Sequence, residues 1–127
     1  MRYLLDTHAL IWHLEDSPRL PQSLTEIIDN STGRICLCSV SLWEIAIKIG
    51  IGKLKLQFTF EELLDKVKNG DFNVLKIKDD HLKRFIVLPF IHKDPFDRLM
   101  ISTALAENLT IITADDNVRK YSVPWIW

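Results

Sequence analysis

Short apolar runs alternate with helical segments along the whole chain, and this alternation limits the fold more than any other feature. The runs at 2–5, 35–38, 73–77, 110–113 and 123–126 predict strands. Between and after them, helices are predicted at 7–14, 21–33, 41–49, 60–67, 79–86, 95–107 and 115–121. The strand runs are largely continuous, as expected for a sheet covered on both faces. The pattern predicts an α/β protein, a three-layer α/β/α sandwich with a mainly parallel central sheet.

Length and composition suit one domain that spans residues 1–127. With 47% hydrophobic and 26% charged residues, the chain does not have the composition of a disordered protein. Sixteen Lys and Arg residues against seventeen Asp and Glu residues give a formal net charge of -1. This charge balance disfavours non-specific nucleic-acid binding through overall positive charge, and it leaves a local basic rim open.

Several features predict a cytoplasmic protein without membrane association. No apolar run approaches the ~18 residues that cross a bilayer. Asp6 and His8 fall where a signal peptide would be apolar. Cys36 and Cys38 match no zinc motif and are poorly spaced on a strand for a disulfide, which predicts buried, reduced thiols.

Acidic residues fall at strand ends and helix starts. Asp6 follows the first strand, Glu44 lies within the apolar stretch 42–46, Asp97 begins a helical stretch, and Asp115 follows the strand at 110–113. In a parallel sheet these positions meet at the carboxyl edge, where open α/β sheets bind ligands. No glycine-rich phosphate loop follows any strand, which disfavours nucleotide binding.

Helix capping is an alternative role for each of these acids. Ser41 and Glu44 have the spacing of a capping box, and Asp94 precedes Pro95 at a predicted helix start. Asp6 and Asp115 are suitable N-caps, and each cap would contribute about 1 kcal/mol. Glu44 and Lys48 have the i, i+4 spacing of a helix-surface ion pair.

Four acids at one edge favour a metal site over four independent caps. Crowded carboxylates repel, and burial costs several kcal/mol unless a cation or a proton neutralises them. Hard ions such as Mg²⁺ or Mn²⁺ prefer carboxylate oxygens and keep positions open for water and phosphate, whereas zinc would recruit His or Cys. The pattern therefore indicates metal-assisted phosphoryl chemistry.

The chain resembles the PIN-domain family, and within it the VapC-type toxin ribonucleases of bacterial toxin–antitoxin pairs. The resemblance covers nearly the whole chain. It is carried by five segments: Leu4-Leu5-Asp6-Thr7-His8-Ala9-Leu10, Ser39-Val40-Ser41-Leu42-Trp43-Glu44-Ile45-Ala46-Ile47-Lys48, Gly52-Lys53-Leu54, His92-Lys93-Asp94-Pro95-Phe96-Asp97-Arg98-Leu99 and Ile112-Thr113-Ala114-Asp115.

The resemblance implies a PIN fold and a metal-dependent endoribonuclease that hydrolyses RNA with a metal-activated water. Asp6, Glu44 and Asp97 match the three acids of the family's Mg²⁺ or Mn²⁺ site. Asp115 matches a more variable fourth position, and Asp116 beside it is a competing candidate.

Further side chains are candidates for orienting the acids or contacting RNA. The hydroxyl and acidic candidates are Thr7, Ser39, Thr113, Asp94 and Asp116. Lys48, Lys93 and Arg98 are candidates for holding phosphates, with solvated helix surface as the alternative. His8 is a further candidate to face the site, with a surface position as its alternative.

The resemblance also implies partners, namely a homodimer and a cognate small DNA-binding antitoxin that covers the acidic edge. The segment Ala9-Leu10-Ile11-Trp12 is apolar nearly all round a short helix, which predicts an exposed interface patch unless the next helix covers it.

Two non-nuclease functions remain open alternatives. A phospho-acceptor receiver module also has an acidic edge, but it places adjacent acids after its first strand and a Lys after its last, and neither occurs here. A PIN-like scaffold that binds partners without cleaving RNA would keep its biological activity after Glu44→Gln.

Overall fold

The computed structural model describes all 127 residues and contains five strands and seven helices. The strands are β1 (Tyr3–Leu5), β2 (Ile35–Cys38), β3 (Phe72–Leu75), β4 (Thr110–Ile112) and β5 (Trp125–Ile126). The helices are α1 (Thr7–Leu14), α2 (Gln22–Asp29), α3 (Ser39–Gly50), α4 (Phe60–Asn69), α5 (Asp79–Val87), α6 (Pro95–Glu107) and α7 (Asp116–Arg119).

All five strands pair in parallel in one sheet, in the order β3-β2-β1-β4-β5. The chain builds outward from β1 through β2 to β3, then returns to β4 on the other side of β1. Strand order therefore reverses between β1 and β4, where Leu5 lies opposite Ile112. This reversal creates a crevice at the carboxyl edge, where Asp6 and Thr113 follow the two strands.

Two hydrophobic cores, one on each face of the sheet, confirm the predicted three-layer sandwich. Leu4 and Ile111 belong to one core, and their neighbours Leu5 and Ile112 belong to the other. Helix α6 contributes Ile101 to the first core, and helices α1 to α4 contribute side chains to the second. The strands are uniformly apolar because both of their faces are buried.

Helix α3 begins at Ser39, two residues before the predicted start. Cys38 occupies its N-cap position without a side-chain cap, so the capping box expected from Ser41 and Glu44 does not form. The second helix begins at Gln22 and the other boundaries shift by a few residues, including a shorter α7 and β5. The shift at α3 moves Glu44 into the second turn of the helix.

The interface patch predicted at 9–12 is wrong. Ala9, Leu10 and Ile11 are buried in a core that Leu24 of α2, Ile45 of α3 and Leu63 of α4 share, and α3 contacts α1 directly. Trp12 is half-buried. Large apolar side chains are exposed instead on α5 and the loop that follows it. We call this surface the α5 patch; it consists of Leu82, Ile86, Val87, Phe90 and Ile91.

Cys36 and Cys38 are free and buried, as predicted, and burial raises the pKa of the Cys38 thiol to about 11. None of the seven helices has the length and apolar character needed to cross a membrane.

Candidate active site

A small polar cavity opens at the carboxyl edge of the sheet, where strand order reverses. Its volume is about 90 Å³, and none of its lining residues is hydrophobic. It is lined by Asp6, Thr7, His8, Glu44, Lys48, Asp94, Asp97 and Asp115. The topology thus brings together five acids that are up to 109 positions apart in the sequence, counted from Asp6 to Asp115.

Asp6 joins β1 to α1 and contacts the end of β4. Its Oδ1 accepts a hydrogen bond from the Ala9 amide at 2.7 Å, which confirms the predicted N-cap. Its Oδ2 accepts a hydrogen bond from the Thr113 hydroxyl. Burial raises the pKa of the Asp6 carboxyl, and these hydrogen bonds oppose that shift in part. Both carboxylate oxygens are therefore fixed before any ligand binds.

Glu44 enters the cavity from α3, held between a hydroxyl and an ammonium group. Thr7 Oγ1 donates to Glu44 Oε1 at 2.7 Å, and Lys48 Nζ lies 2.8 Å from Glu44 Oε2. The predicted i, i+4 pair therefore forms, but Glu44 itself is buried, so the pair is not on a solvated helix surface.

Asp97 lies in the first turn of α6, and Asp94 caps that helix as predicted. Asp94 Oδ1 accepts hydrogen bonds from the Phe96 and Asp97 amides at 2.8 and 3.2 Å. Burial raises the pKa of the Asp97 carboxyl to about 7, and the charges of Asp94, Asp115, Glu44 and Asp6 add to this shift. Among the acids of the cavity, Asp97 is therefore the one whose pKa the neighbouring carboxylates raise most clearly, in addition to the effect of burial.

The structure separates Asp115 from Asp116. Asp115 lines the cavity and caps α7 by accepting a hydrogen bond from the Asn117 amide at 2.9 Å. The side chain of Asp116 is 89% exposed and lies 3.7 Å from Arg119 Nη1. Asp116 is therefore outside the cavity, and Asp115 is the candidate fourth ligand.

The structure does not place Arg98 or Ser39 among the acids. Arg98 is only 5% exposed, so the expectation of a solvated or phosphate-holding side chain is wrong. Its guanidinium lies inside the protein and donates to backbone carbonyls. Ser39 begins α3 but does not line the cavity. Lys48 is the lysine that lines the cavity. Lys93 directly precedes Asp94 in the sequence, and its side chain is exposed.

Sequence reasoning gave His92 no role, although it begins the fourth segment of the resemblance. Its Nε2 lies 3.2 Å from Asp97 Oδ2. One ligand atom each from His92, Asp94 and Asp97 lie within 4.8 Å of one another. The only signal in the sequence was its position two residues before the helix-capping Asp94. His8 does line the cavity, while remaining exposed.

The donor set of the cavity fits a hard divalent ion. Asp6, Glu44, Asp97 and Asp115 offer carboxylate oxygens, and Lys48 is the one fixed positive charge in the lining. The raised pKa values of Asp6 and Asp97 show that the metal-free cluster disfavours its full negative charge. A divalent cation relieves this cost, and oxygen donors are those that Mg²⁺ and Mn²⁺ prefer.

The raised pKa of Asp97 predicts how the stability of the metal-free protein depends on pH. Between the ordinary value of 3.8 and about 7, the folded protein binds more protons at this site than the unfolded chain does. The free energy of unfolding should therefore fall, by a few kcal/mol from this group, as the pH rises through that window. Urea unfolding with EDTA at about pH 5 and pH 8 measures the change.

Asp97→Asn should flatten this pH dependence, whereas the exposed Asp116→Asn should keep the wild-type slope. Equal slopes in wild type and Asp97→Asn would contradict the assignment of the shift to Asp97.

A parallel α/β sheet with a carboxylate-lined cavity at its switch point is typical of α/β proteins whose acidic site suits a divalent metal ion. Within that class, the PIN domain model matches residues 3–124 of this chain. The chain belongs to the PIN-domain family.

Solved structures of similar fold include toxin–antitoxin complexes. A chain of VapBC2 from Rickettsia felis, bound to a promoter DNA fragment, matches with a TM-score of 0.73 and 19% identity, covering 99% of this chain and 98% of that one. For DNA-bound VapBC from Salmonella typhimurium the TM-score is 0.72, with 18% identity and coverage of 99% and 97%. A toxin–antitoxin complex from Klebsiella pneumoniae matches with a TM-score of 0.66 and 16% identity, covering 98% of this chain and 96% of that one. A comparison with curated proteins found no significant sequence match.

Proposed function

We propose that the protein is a Mg²⁺- or Mn²⁺-dependent endoribonuclease and the toxin of a VapBC-like toxin–antitoxin pair. One observation carries this proposal. Carboxylates at the end of β1, within α3, within α6 and at the start of α7 converge on a polar cavity at the switch point of a PIN fold. The segments shared with VapC-type toxins and the VapBC complexes of similar fold support the toxin assignment.

Asp6, Glu44 and Asp97 would hold the metal, with Asp115 as a fourth ligand. When bound, Mg²⁺ or Mn²⁺ neutralises charge at the phosphate and lowers the pKa of water for in-line attack on phosphorus. Hydrogen bonds from the protein itself hold the Asp6 and Glu44 carboxylates in position.

Two threonine hydroxyls restrict the rotation of Asp6 and Glu44. Thr7 and Thr113 donate hydrogen bonds to Glu44 and Asp6, so these two carboxylates enter the reaction already oriented. Lys48 lies on the cavity wall beside Glu44 and adds positive charge where a phosphate oxygen would enter.

The geometry does not favour the receiver alternative. A receiver requires a Lys that follows a late strand, whereas the lysine of this cavity comes from α3. The acids also come from four separate elements, which suits metal-assisted hydrolysis without a covalent protein intermediate.

The direct test is cleavage of a single-stranded RNA by the purified protein with Mg²⁺ or Mn²⁺. Cleavage should require the metal and stop on addition of EDTA. A protein that cleaves no RNA with either ion, although it binds the ion, would contradict the nuclease proposal and favour the partner-binding scaffold.

The proposed partner is a small DNA-binding antitoxin with a basic C-terminal segment. The cavity carries four acids and Asp94 against one lysine, so it is complementary to a guanidinium or ammonium group. Since its substrate is cellular RNA, we place the protein in the cytoplasm.

We also propose a homodimer, formed through the α5 patch instead of the buried segment 9–12. Ile86 is 81% and Phe90 is 76% exposed, and both lie within one short stretch of chain. Contiguous exposed side chains of this size are typical of interfaces in soluble proteins. A second copy would remove this apolar surface from water.

Ile86→Glu should convert the dimer to a monomer without unfolding it, because the wild-type side chain faces solvent in the single chain. Light scattering at micromolar concentration measures the change. Leu64→Glu, on the exposed face of α4, is the matched control and should remain dimeric. A monomeric wild type would refute the dimer and leave the nuclease proposal standing.

A further inference from the structure

We propose that Arg98 and Tyr121 are positioning residues that hold the segment 88–92 against α6, so that His92 stays in contact with Asp97. This inference rests on the proposed metal site, whose ligand Asp97 it concerns. It gives a role in the site to two residues that do not touch the cavity.

Arg98 is a buried cation whose acceptors are all neutral. Its guanidinium donates to the carbonyls of Pro89 at 2.9 Å and Leu88 at 3.4 Å, and to the Tyr121 hydroxyl at 3.2 Å. The rings of Phe85 and Phe90 lie 5.1 and 4.7 Å from its central carbon. Burial of a charge is costly unless it is well solvated by such partners. The planar fork of Arg reaches three acceptors at once, which Lys cannot reproduce.

Tyr121 connects this buried charge to His92. Its hydroxyl oxygen accepts hydrogen bonds from Arg98 Nη1 and from the His92 amide, the latter at 2.8 Å. The same hydroxyl donates to the His92 carbonyl at 3.2 Å. One side chain therefore satisfies both backbone groups of His92, although Tyr121 follows it by 29 positions.

His92 is the member of this network that reaches the acids. Its backbone is fixed by Tyr121, and its Nε2 lies 3.2 Å from Asp97 Oδ2. Contacts of this kind restrict the orientation of a metal-binding carboxylate, and their loss costs about 10- to 100-fold in metal affinity. The path from Arg98 to Asp97 therefore runs through Tyr121 and the segment 88–92.

Tyr121→Phe tests the inference because it removes the hydroxyl but keeps the ring in the core, where Tyr121 is buried. We expect faster hydrogen exchange at the His92 amide and an approximately tenfold higher Kd for Mn²⁺ by calorimetry. In RNA cleavage, kcat should fall while KM is retained. Tyr3→Phe, in which a half-buried tyrosine without a side-chain hydrogen bond loses the same atom, is the matched control and should behave like wild type.

A second experiment separates positioning from a general loss of stability. In a His92→Ala background, Tyr121→Phe should no longer change the Kd for Mn²⁺, because the two residues act on Asp97 through one path. Arg98→Lys should reproduce the loss of Mn²⁺ affinity in protein that circular dichroism shows to be folded. An unchanged Kd in Tyr121→Phe, or additive effects with His92→Ala, would overturn the inference.

The outcomes also separate this inference from the proposed nuclease activity. If the wild type binds Mn²⁺ and Tyr121→Phe weakens that binding, the inference stands even when no RNA is cleaved. A wild type that does not bind Mn²⁺ would overturn both proposals.

Discussion

Asp6→Asn, Glu44→Gln and Asp97→Asn should each lower RNA cleavage by about a thousandfold or more, with the fold intact. Each substitution removes a negative oxygen from the cavity while preserving the size of the side chain. Loss of several kcal/mol of charge stabilisation at the phosphate corresponds to a decrease of this order. Initial rates with a short fluorescent RNA in Mn²⁺ measure the effect.

The stability of the same variants distinguishes a metal site from a set of helix caps. Asp97→Asn should raise the free energy of unfolding of the metal-free protein near pH 8, because the charge it removes is buried among other acids. Asp6→Asn should be nearly neutral, since Asn also caps helices and the cost of burying the charge is removed. If these acids were only caps, their loss would cost about 1 kcal/mol and leave activity unchanged.

Asp115→Asn and Asp116→Asn form a matched pair for this test. Both are adjacent aspartates at the start of α7, but only Asp115 lines the cavity. We expect Asp115→Asn to lower activity and Asp116→Asn to retain it. Full activity in Asp6→Asn, Glu44→Gln and Asp97→Asn would rule out the nuclease assignment.

The fold and the edge that carries the acids followed from the sequence because parallel topology leaves little choice. In a parallel sheet, a chain that alternates strands and helices places every strand end and the following helix start at the same carboxyl edge of the sheet. The N-cap roles of Asp6 and Asp94 also had recognisable local signals. Asp6 lies between a predicted strand and a predicted helix, and Asp94 precedes Pro95 at a predicted helix start. Both cap their helices as predicted.

Glu44 shows where local patterns are insufficient. The Ser41 to Glu44 spacing fits a capping box, but α3 begins at Ser39 because β2 runs directly into it at Cys38. Glu44 is then one turn inside the helix, where it faces Thr7 across the cavity. Helix boundaries depend on how neighbouring elements pack, which spacing alone does not contain.

Arg98 and the segment 9–12 were misjudged for a related reason. An arginine in a helix sequence predicts a solvated side chain, and only tertiary structure brings the Pro89 carbonyl and Tyr121 to it. The segment 9–12 is apolar nearly all round because it packs in a core that residues of α2, α3, α4 and the sheet share. In both cases the deciding contacts come from other elements of the fold, which the local sequence pattern does not contain.

Expression of this protein alone in bacteria should slow growth, and co-expression of a small gene adjacent to its own should restore it. The proposed RNA cleavage requires the carboxylates, so Asp97→Asn should be harmless while Asp116→Asn remains toxic. Viable counts after induction measure both effects. Equal toxicity of Asp97→Asn and wild type would separate the growth effect from the acidic site.

Neutralisation by the proposed antitoxin should depend on charge at the same cavity. The charges of Asp6, Glu44 and Asp115 raise the pKa of the buried Asp97 carboxyl, so a guanidinium that enters the cavity should relieve the same cost as a divalent ion. The antitoxin segment and Mn²⁺ should therefore compete. We expect a saturating C-terminal antitoxin peptide to raise the apparent Kd for Mn²⁺ in calorimetric titration, and replacement of its Arg and Lys residues by Ala to abolish the effect. An unchanged Mn²⁺ affinity with the peptide bound would mean that inhibition occurs away from the acids.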